Sequence, residues 1–202
     1  FVLFADADDF FNSTLAHELD HIPSYNRDLL FYQVDSVDSE TYVGSHRHLF
    51  FNALVQDYKR SGALDIIYKY SVPWGKVYRR SFLTAHGLRF AEVIAGNDMW
   101  FSCSCGIFQS SFAVLETTLY TVTVREGSIV NTVKPEYFKS RFLETLRVNA
   151  LLRKHKRSKY QYSVLYFISS AHKFGLKAFV AKALLRHRSN VWIGMEKIFT
   201  YK

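Results

Sequence analysis

Cysteine is almost absent from the sequence. Cys103 and Cys105 are the only two in 202 residues, and they stand two positions apart. This spacing is too short for an ordinary disulfide, and two cysteines are too few for a zinc site built on thiolates. The scarcity excludes a disulfide-stabilised secreted domain and indicates a reducing compartment, so a cytoplasmic protein is predicted.

Long uncharged runs are also scarce. The longest runs from Met99 to Leu115, and it includes several serines as well as Gln109. A membrane-spanning helix needs about 20 mostly apolar residues, so this run does not predict one. At 49% hydrophobic and 17% aromatic residues, the chain can still bury a sizeable core, which excludes an intrinsically disordered protein.

Acidic residues are scarce in the last third of the chain. Residues 134–202 hold three Asp/Glu against sixteen Lys/Arg, whereas residues 1–133 hold fifteen Asp/Glu against ten Lys/Arg. The net charge of +8 therefore comes from the end of the chain. This shift predicts a boundary at Lys134-Pro135, between an acidic body and a strongly basic tail.

The hydrophobic pattern predicts an α/β fold. Strands are predicted at residues 1–5, 29–34 and 117–124, and helices at residues 12–19, at residues 48–60 and after Asn97-Asp98. Pro23 is expected to end the first helix, and Asn97 or Asp98 to cap the third. The opening FVLFA run is typical of a buried parallel strand. The tail is predicted to be helical throughout, with an apolar stripe formed by Leu176, Phe179, Val180, Ala183 and Leu184.

Three carboxylates, Asp6, Asp8 and Asp9, follow the first predicted strand. In an extended chain, residues two positions apart point to the same side. Asp6 and Asp8 would then face the crevice at the carboxyl ends of the strands, where α/β sheets bind ligands. Like charges held this close favour a cation between them, and oxygen ligands favour Mg²⁺ or Mn²⁺. A solvated turn that caps the next helix explains the same spacing.

Two other chemistries use a similar opening stretch. Phosphatases of the haloacid dehalogenase type also begin with an apolar run followed by DxD, and Asp6 would be their nucleophile. Phe10 stands where those enzymes carry Thr or Val. A calcium-binding EF-hand loop needs an oxygen ligand and then a glycine where Phe10 and Phe11 stand, so that loop is excluded.

The HELDH stretch at residues 17–21 matches the H-E-x-x-H pattern of zinc proteases. Those helices keep the intervening positions uncharged, whereas Asp20 is charged here. Pro23 is also expected to end the helix at once. We therefore interpret the stretch as an exposed helix face.

Four later stretches resemble a known enzyme family in their order along the chain. PWGKVYRRSFL at residues 73–83 is followed by GLRF at 87–90 and GND at 96–98, and YTVTVREGSI closes the series at 120–129. Together with FADADD, this ordered set resembles the family 2 glycosyltransferases over about residues 1–133. The resemblance implies a partial GT-A domain, a Rossmann-like fold that transfers sugars from nucleotide-diphospho-sugars. A mostly helical extension at 134–202 would follow it.

The resemblance also implies roles for individual residues. Asp6 and Asp8 match the DxD pair that holds the metal, Mg²⁺ or Mn²⁺, at the donor diphosphate. Asp98 matches the catalytic base that takes the proton of the acceptor hydroxyl during an inverting displacement. An ordinary helix N-cap is the alternative for Asp98. Asn97 stands where the family usually has Glu.

Three further residues are assigned to the donor side of the site. Trp74 and Lys76 would lie near the donor–acceptor cleft, Trp74 as a face for sugar stacking. Arg125 would meet the diphosphate. Core packing is the alternative for Trp74, and a solvated strand end is the alternative for Arg125.

The expected function is that of a hexosyltransferase-like enzyme of surface polysaccharide synthesis. It would move a sugar from a nucleotide-sugar to a glycan or lipid-linked acceptor. The alternatives are the phosphatase and a degenerate, non-catalytic GT-A remnant that acts as an interaction module. In this family the nucleoside-binding part precedes DxD, so residues 1–202 are expected to be inactive alone.

The basic tail predicts an anionic partner. Its cluster RKHKRSK at residues 153–159 suits a negatively charged membrane surface, which would place the protein on the inner face of the cell membrane. A solvated face with a homo-oligomer contact is the alternative. Nucleic acid is not predicted, because no recognisable binding motif accompanies the charge.

Overall fold

The structure is a computed structural model that describes residues 1–125, 134–188 and 190–193. The chain divides into two compact units. The first contains residues 1–89 and 101–125, and the second contains residues 90–100 together with the described residues from 134 onward. The second unit therefore includes a short segment that interrupts the first along the chain.

A mixed sheet forms the centre of the first unit. Its strands are β1 (Phe10–Phe11), β2 (Leu29–Asp38), β3 (Lys76–Tyr78) and β4 (Phe112–Val124), in the order β1-β4-β2-β3. The central strands β2 and β4 are parallel, and the two outer strands are antiparallel to them. Asp38 pairs with Val124, so β2 and β4 end at the same edge of the sheet. The strands predicted at 29–34 and 117–124 are confirmed, and both are longer than expected.

The first five residues do not form the buried strand that the sequence predicts. Val2 makes a single bridge to Tyr78 through two backbone hydrogen bonds, and Phe1 is 46% exposed. Tyr78 lies in β3, whose other side is already paired with β2. The opening segment therefore meets the outer edge of the sheet, where its apolar side chains are only partly covered.

Helices cover both faces of this sheet. They are α1 (Thr14–Tyr25), α2 (Leu49–Ser61), α3 (Asp65–Lys69), α4 (Arg80–Ala85) and α5 (Asn97–Phe108). The first four residues of α5 belong to the second unit, and the rest of the helix belongs to the first. On one face, Ile22 of α1 packs against Leu30 and Tyr32 of β2. On the other, Phe31 of β2 meets Tyr70, which follows α3, at 5.8 Å between ring centroids. The α/β class and the helix predicted at 48–60 are confirmed.

Two predicted helix ends are wrong. Pro23 lies inside the last turn of α1, which closes at Asn26 with a left-handed backbone (φ 47°). Proline removes one intrahelical hydrogen bond, but the turn is still closed by the Asn26 amide donating to the Pro23 carbonyl. Asn97 and Asp98 do not cap α5, because the helix begins at Asn97 and Asp98 lies in its first turn.

The described part of the second unit is helical after residue 134. It contains α6 (Pro135–Lys154), α7 (Leu165–Ser170) and α8 (Lys177–Arg186), with 3₁₀ turns at Ser158–Tyr160 and Ala171–Phe174. Its core includes Phe138, Phe142, Leu146, Val164 and Phe167. The predicted apolar stripe is confirmed: Val180 and Ala183 are buried in this core, and Leu176, Phe179 and Leu184 pack against it. None of the described helices is long and apolar enough to span a membrane.

Candidate functional site

Residues 6–9 form a turn at the carboxyl edge of the central strands. The Asp9 amide donates to the Asp6 carbonyl at 3.2 Å. The predicted extended conformation is therefore wrong, because the chain reverses here to enter β1 and pair with β4. The three carboxylates are brought together by this reversal and not by alternation along a strand.

Strand β4 holds this turn through two of its residues, Tyr120 and Thr123. The Tyr120 hydroxyl accepts the Asp6 amide and donates to Asp9 Oδ2, both at 2.8 Å. Thr123 donates its amide to Asp9 Oδ1 at 2.8 Å. Its hydroxyl lies 2.8 Å from the Asp8 carbonyl and 3.1 Å from Asp9 Oδ1. The carboxylate of Asp9 is thus engaged at both oxygens in fixing the turn.

The Asp6 and Asp8 side chains, in the same turn, are exposed to solvent. Desolvation raises the pKa of Asp6, the charges of Asp9 and Asp8 raise it further, and the Arg47 guanidinium opposes them. Asp8 Oδ2 lies 3.6 Å from the Arg125 guanidinium, and both side chains are about half exposed. Negative charge is therefore crowded where solvent can deliver a cation.

The donor set fits a metal ion that brings further ligands with it. No group of three or more His, Cys, Asp or Glu side chains in the described ranges is arranged to hold a metal ion alone. Two carboxylates suit Mg²⁺ or Mn²⁺, which bind proteins through one or two carboxylates and take water and substrate phosphates as the rest. The turn could hold such a cation together with a diphosphate.

Arg125 directly follows β4 and borders a wide depression. The cavity has a volume of about 730 Å³ and is lined by Asp38, Ser39, Glu40, Thr41, Val43, Gly44 and Arg125. Asp38 shapes this loop, since its Oδ1 accepts the amides of Glu40 and Thr41. The structure therefore places Arg125 between the Asp8 carboxylate and an open polar space. The remainder of the REGSI stretch lies outside the described residues.

Trp74 and Lys76 are buried. Trp74 is 3% exposed, stacks on Tyr120 at 5.8 Å and meets Phe51 edge-on at 4.9 Å. Lys76 is 2% exposed, donates to the Tyr70 carbonyl and lies over the Tyr70 and Phe31 rings. A sugar-stacking face needs an open ring, so the structure corrects this assignment in favour of core packing. Trp74 supports Tyr120, which in turn holds the turn at residues 6–9.

Asp98 lies in the first turn of α5 and belongs to the second unit. A carboxylate in the first turn of a helix is stabilised in its ionised form by the helix dipole. The same ionised form is the one that accepts a proton. The position of Asp98 therefore suits a general base.

The HELDH residues divide between the core and the solvent. Glu18 is 6% exposed, and its Oε2 accepts the Tyr32 hydroxyl at 3.0 Å. His17 and His21 are exposed, with ring centroids 4.4 Å apart. A zinc protease needs its glutamate beside the metal-bound water, whereas Glu18 points into the sheet. The predicted exposed face is therefore wrong for Glu18 and confirmed for both histidines.

Sequence reasoning missed the residues that build the turn. Tyr120, Thr123 and Arg47 were assigned no role at the site, although all three interact with its carboxylates. The alternation of β4 placed Tyr120 and Thr123 on opposite faces, which offers no signal that both would reach Asp9. Their pairing depends on the antiparallel addition of β1 beside β4.

Comparison with known proteins reveals a structural likeness. No protein-family model and no curated protein sequence matches the chain. The solved structure of Staphylococcus aureus TarS 1–349 in complex with UDP-GlcNAc matches 92% of this chain and 56% of that one, at 20% identity and a TM-score of 0.61. The UDP complex of the same protein matches at 21% identity and a TM-score of 0.55. The structure of TarS 1–349 without a named ligand matches at 19% identity and a TM-score of 0.56.

This likeness bears on the fold. The chain spans a little over half the length of the TarS structures that it matches. TarS is a glycosyltransferase, and the match extends over nine-tenths of this chain. The chain therefore shares the fold of a glycosyltransferase.

Proposed function

We propose that this protein is a GT-A glycosyltransferase of family 2 that uses a nucleotide-sugar donor. The observation that carries the proposal is the turn at residues 6–9, where Asp6 and Asp8 stay open beside Arg125 while Asp9 fixes the backbone. The turn lies at the carboxyl edge of the parallel pair β2–β4, where α/β sheets bind ligands. The fold shared with TarS, which was solved with UDP-GlcNAc and with UDP, supports a nucleotide-sugar as donor.

The donor diphosphate would be held by charge. Asp6 and Asp8 would hold Mg²⁺ or Mn²⁺, which neutralises the departing nucleoside diphosphate when bound. Arg125 would turn from the Asp8 carboxylate toward the diphosphate oxygens, since its guanidinium is about half exposed and can form paired hydrogen bonds with phosphate. This chain would thus contribute negative charge to hold the metal ion and positive charge to hold the diphosphate.

Asp98 would act as the general base. It would take the proton of an acceptor hydroxyl while that oxygen forms a bond to the anomeric carbon. The bond from this carbon to the diphosphate oxygen breaks in the same displacement, and the electron pair leaves with the nucleoside diphosphate. A single displacement inverts the anomeric centre. The acceptor would be a glycan or a lipid-linked saccharide of surface polysaccharide synthesis, modified at the cytoplasmic face of the membrane.

Two substitutions in the full-length protein test this function. Asp98→Asn should lower kcat about 100-fold or more and leave the dissociation constant of the nucleotide-sugar unchanged, because a base acts on the proton and not on the donor. Asp8→Asn should weaken donor binding in Mg²⁺. Transfer is measured by release of the nucleoside diphosphate, and donor binding by calorimetry.

Asp57→Asn serves as the matched control, because this carboxylate pairs with the exposed Arg60 on α2. It should behave as the wild type in both measurements. Full kcat in Asp98→Asn would contradict the proposal. Formation of a phosphoaspartate at Asp6 from a phosphoester would instead identify a phosphatase.

A further inference from the structure

Three residues on one face of α6 contact the segment that carries Asp98. They are spaced four and three positions apart, which aligns side chains along a helix. Ser140 meets Ala95, Glu144 meets Gly96, and Arg147 meets Trp100. All six residues belong to the second unit.

We call these three contacts anchors. In the first, the Ser140 hydroxyl bonds both the backbone amide and the backbone carbonyl of Ala95. Ser140 Oγ accepts the Ala95 amide at 3.2 Å and donates to the Ala95 carbonyl at 2.7 Å. Ala95 is 7% exposed, so these groups have little access to water. Loss of the hydroxyl would leave a buried donor and acceptor unsatisfied, which is costly. The segment is therefore held at Ala95.

The second anchor is a close approach of backbone to helix. Gly96 has a φ of 93°, a conformation that side chains rarely adopt. A Cβ at this position would lie 3.0 Å from Glu144 Cβ and 3.6 Å from Arg141 Cα. Only glycine lets the chain lie this near α6 immediately before α5 begins.

The third anchor is a stacked cation. The Arg147 guanidinium lies 3.5 Å from the centroid of the Trp100 ring, which is a cation–π contact at van der Waals distance. Arg147 also pairs with the buried Glu144 carboxylate at 3.5 Å. The Arg147 guanidinium is thus held both by the Glu144 carboxylate and by the face of the Trp100 ring.

We infer that α6 is the positioning element for Asp98. The inference rests on the proposed function, in which Asp98 is the base. Asp98 stands two residues after the Gly96 anchor and two before the Trp100 anchor, so its backbone is held on both sides. A displacement of about 1 Å at a reacting group can cost about 100-fold in rate. Helix α6 would therefore affect the rate of sugar transfer by holding Asp98 in place.

Two substitutions in the full-length protein test the inference. Ser140→Ala removes the first anchor, and Arg147→Lys keeps the charge while losing the planar stacking on Trp100. Each should lower kcat about 10-fold or more and change the KM for the donor less than about 2-fold, as expected when only the base is misplaced. Trp100→Phe should keep more of kcat than Trp100→Ala, because phenylalanine retains an aromatic face.

A matched control and a structural readout separate the outcomes. Ser169→Ala removes an exposed hydroxyl that donates to the Tyr166 carbonyl elsewhere in the second unit, and it should leave kcat unchanged. Hydrogen exchange at residues 93–98 should accelerate in Ser140→Ala and not in Ser169→Ala. Wild-type kcat in both Ser140→Ala and Arg147→Lys would overturn the inference while the proposed function stands. Absence of sugar transfer by the wild type would overturn the proposed function, and the catalytic meaning of the anchors with it.

Discussion

At the residue scale, three neighbouring aspartates have different roles because their hydrogen bonds differ. Asp9 accepts hydrogen bonds from Tyr120 and Thr123 and holds the turn at residues 6–9. Asp6 and Asp8 keep carboxylates that solvent can reach. The sequence alone does not distinguish the three carboxylates, because their roles depend on partners that are distant in the chain. Mutational analysis of such a motif therefore has to separate loss of the turn from loss of the site.

Asp28 leads to a pH-dependent prediction at the same scale. Burial alone would raise the pKa of this carboxyl, but hydrogen bonds from Ser110 and Ser111 and the charge of Arg79 outweigh it and lower the pKa below the usual 3.8. A lowered pKa in the folded state stabilises the fold above the unfolded-state value, and this contribution is lost as the pH falls through the folded-state pKa. Asp28→Asn should therefore destabilise the protein by about 1.5–3 kcal/mol at pH 7.

The difference in the free energy of unfolding between Asp28→Asn and the wild type should shrink as the pH is lowered from 5 toward 2. Urea unfolding at a series of pH values measures it. Asp57→Asn, whose partner Arg60 is exposed, is the control. A difference that stays constant or grows in acid would show that the Asp28 carboxylate does not stabilise the fold through its charge.

At the scale of elements, helix packing depends on positions where backbone meets backbone. Gly106 of α5 lies against α3: a Cβ there would stand 2.1 Å from the Ile67 carbonyl oxygen. Helix α1 is positioned by a side-chain contact instead, since the buried Glu18 carboxylate accepts the Tyr32 hydroxyl of β2. These contacts fix where α5 lies against α3 and where α1 lies against β2.

Gly106→Ala should be strongly destabilising. The added methyl group must displace backbone and not the end of a flexible side chain, so we expect a loss of about 2–4 kcal/mol in the free energy of unfolding. Gly44→Ala is the control, because a Cβ at Gly44 would meet nothing within 4 Å. Chemical denaturation of both variants provides the comparison. Equal stability of the two would mean that α5 and α3 are not packed this closely.

Elements with a strong local pattern were predictable, and the details of the site were not. The period of the apolar residues was sufficient for β2, β4, α2 and the stripe on α8. The prediction of a buried strand at residues 1–5 was wrong, because this segment meets the sheet only through one bridge to β3 at its outer edge. The turn at residues 6–9 depends on Tyr120 and Thr123, more than a hundred positions away. The sequence left Trp74 open between the cleft and the core, and the burial of Lys76 had no local signal. Long-range partners leave no local signal.

At the scale of the whole molecule, charge and structure divide the chain differently. The charge changes at residue 134, whereas the second unit also takes in residues 90–100. Asp98 is therefore an acidic residue of the basic unit. Sugar transfer would depend on this unit through Asp98, and so would the attachment to an anionic membrane surface that the sequence predicts.

The full-length protein should sediment with vesicles that contain anionic lipid and not with neutral vesicles. Each basic residue near an anionic surface contributes about 1 kcal/mol, and raised salt screens this attraction. Replacing the exposed cations of the 153–159 cluster, Lys154, Lys156, Arg157 and Lys159, by Gln should lower binding more than about 10-fold.

The same number of Gln replacements at Arg27, Lys59, Arg60 and Arg80, in the first unit, is the matched control and should change binding less. Equal sedimentation with both kinds of vesicle, or with neither, would count against a membrane role. An oligomer contact would then be the favoured use of the basic face.

The position of β4 in the sheet has a consequence for how the protein is made. β1 and β2 precede β4 by many residues, yet each pairs with it: Phe10 with Thr121, and Leu29 with Phe112. A ribosome delivers the chain from its amino end, so these two strands emerge before their shared partner exists. Nascent chains that stop before residue 112 would have unpaired strand edges and no support for the turn at residues 6–9. Synthesis of β4 is therefore the step at which the nascent chain becomes less prone to aggregate.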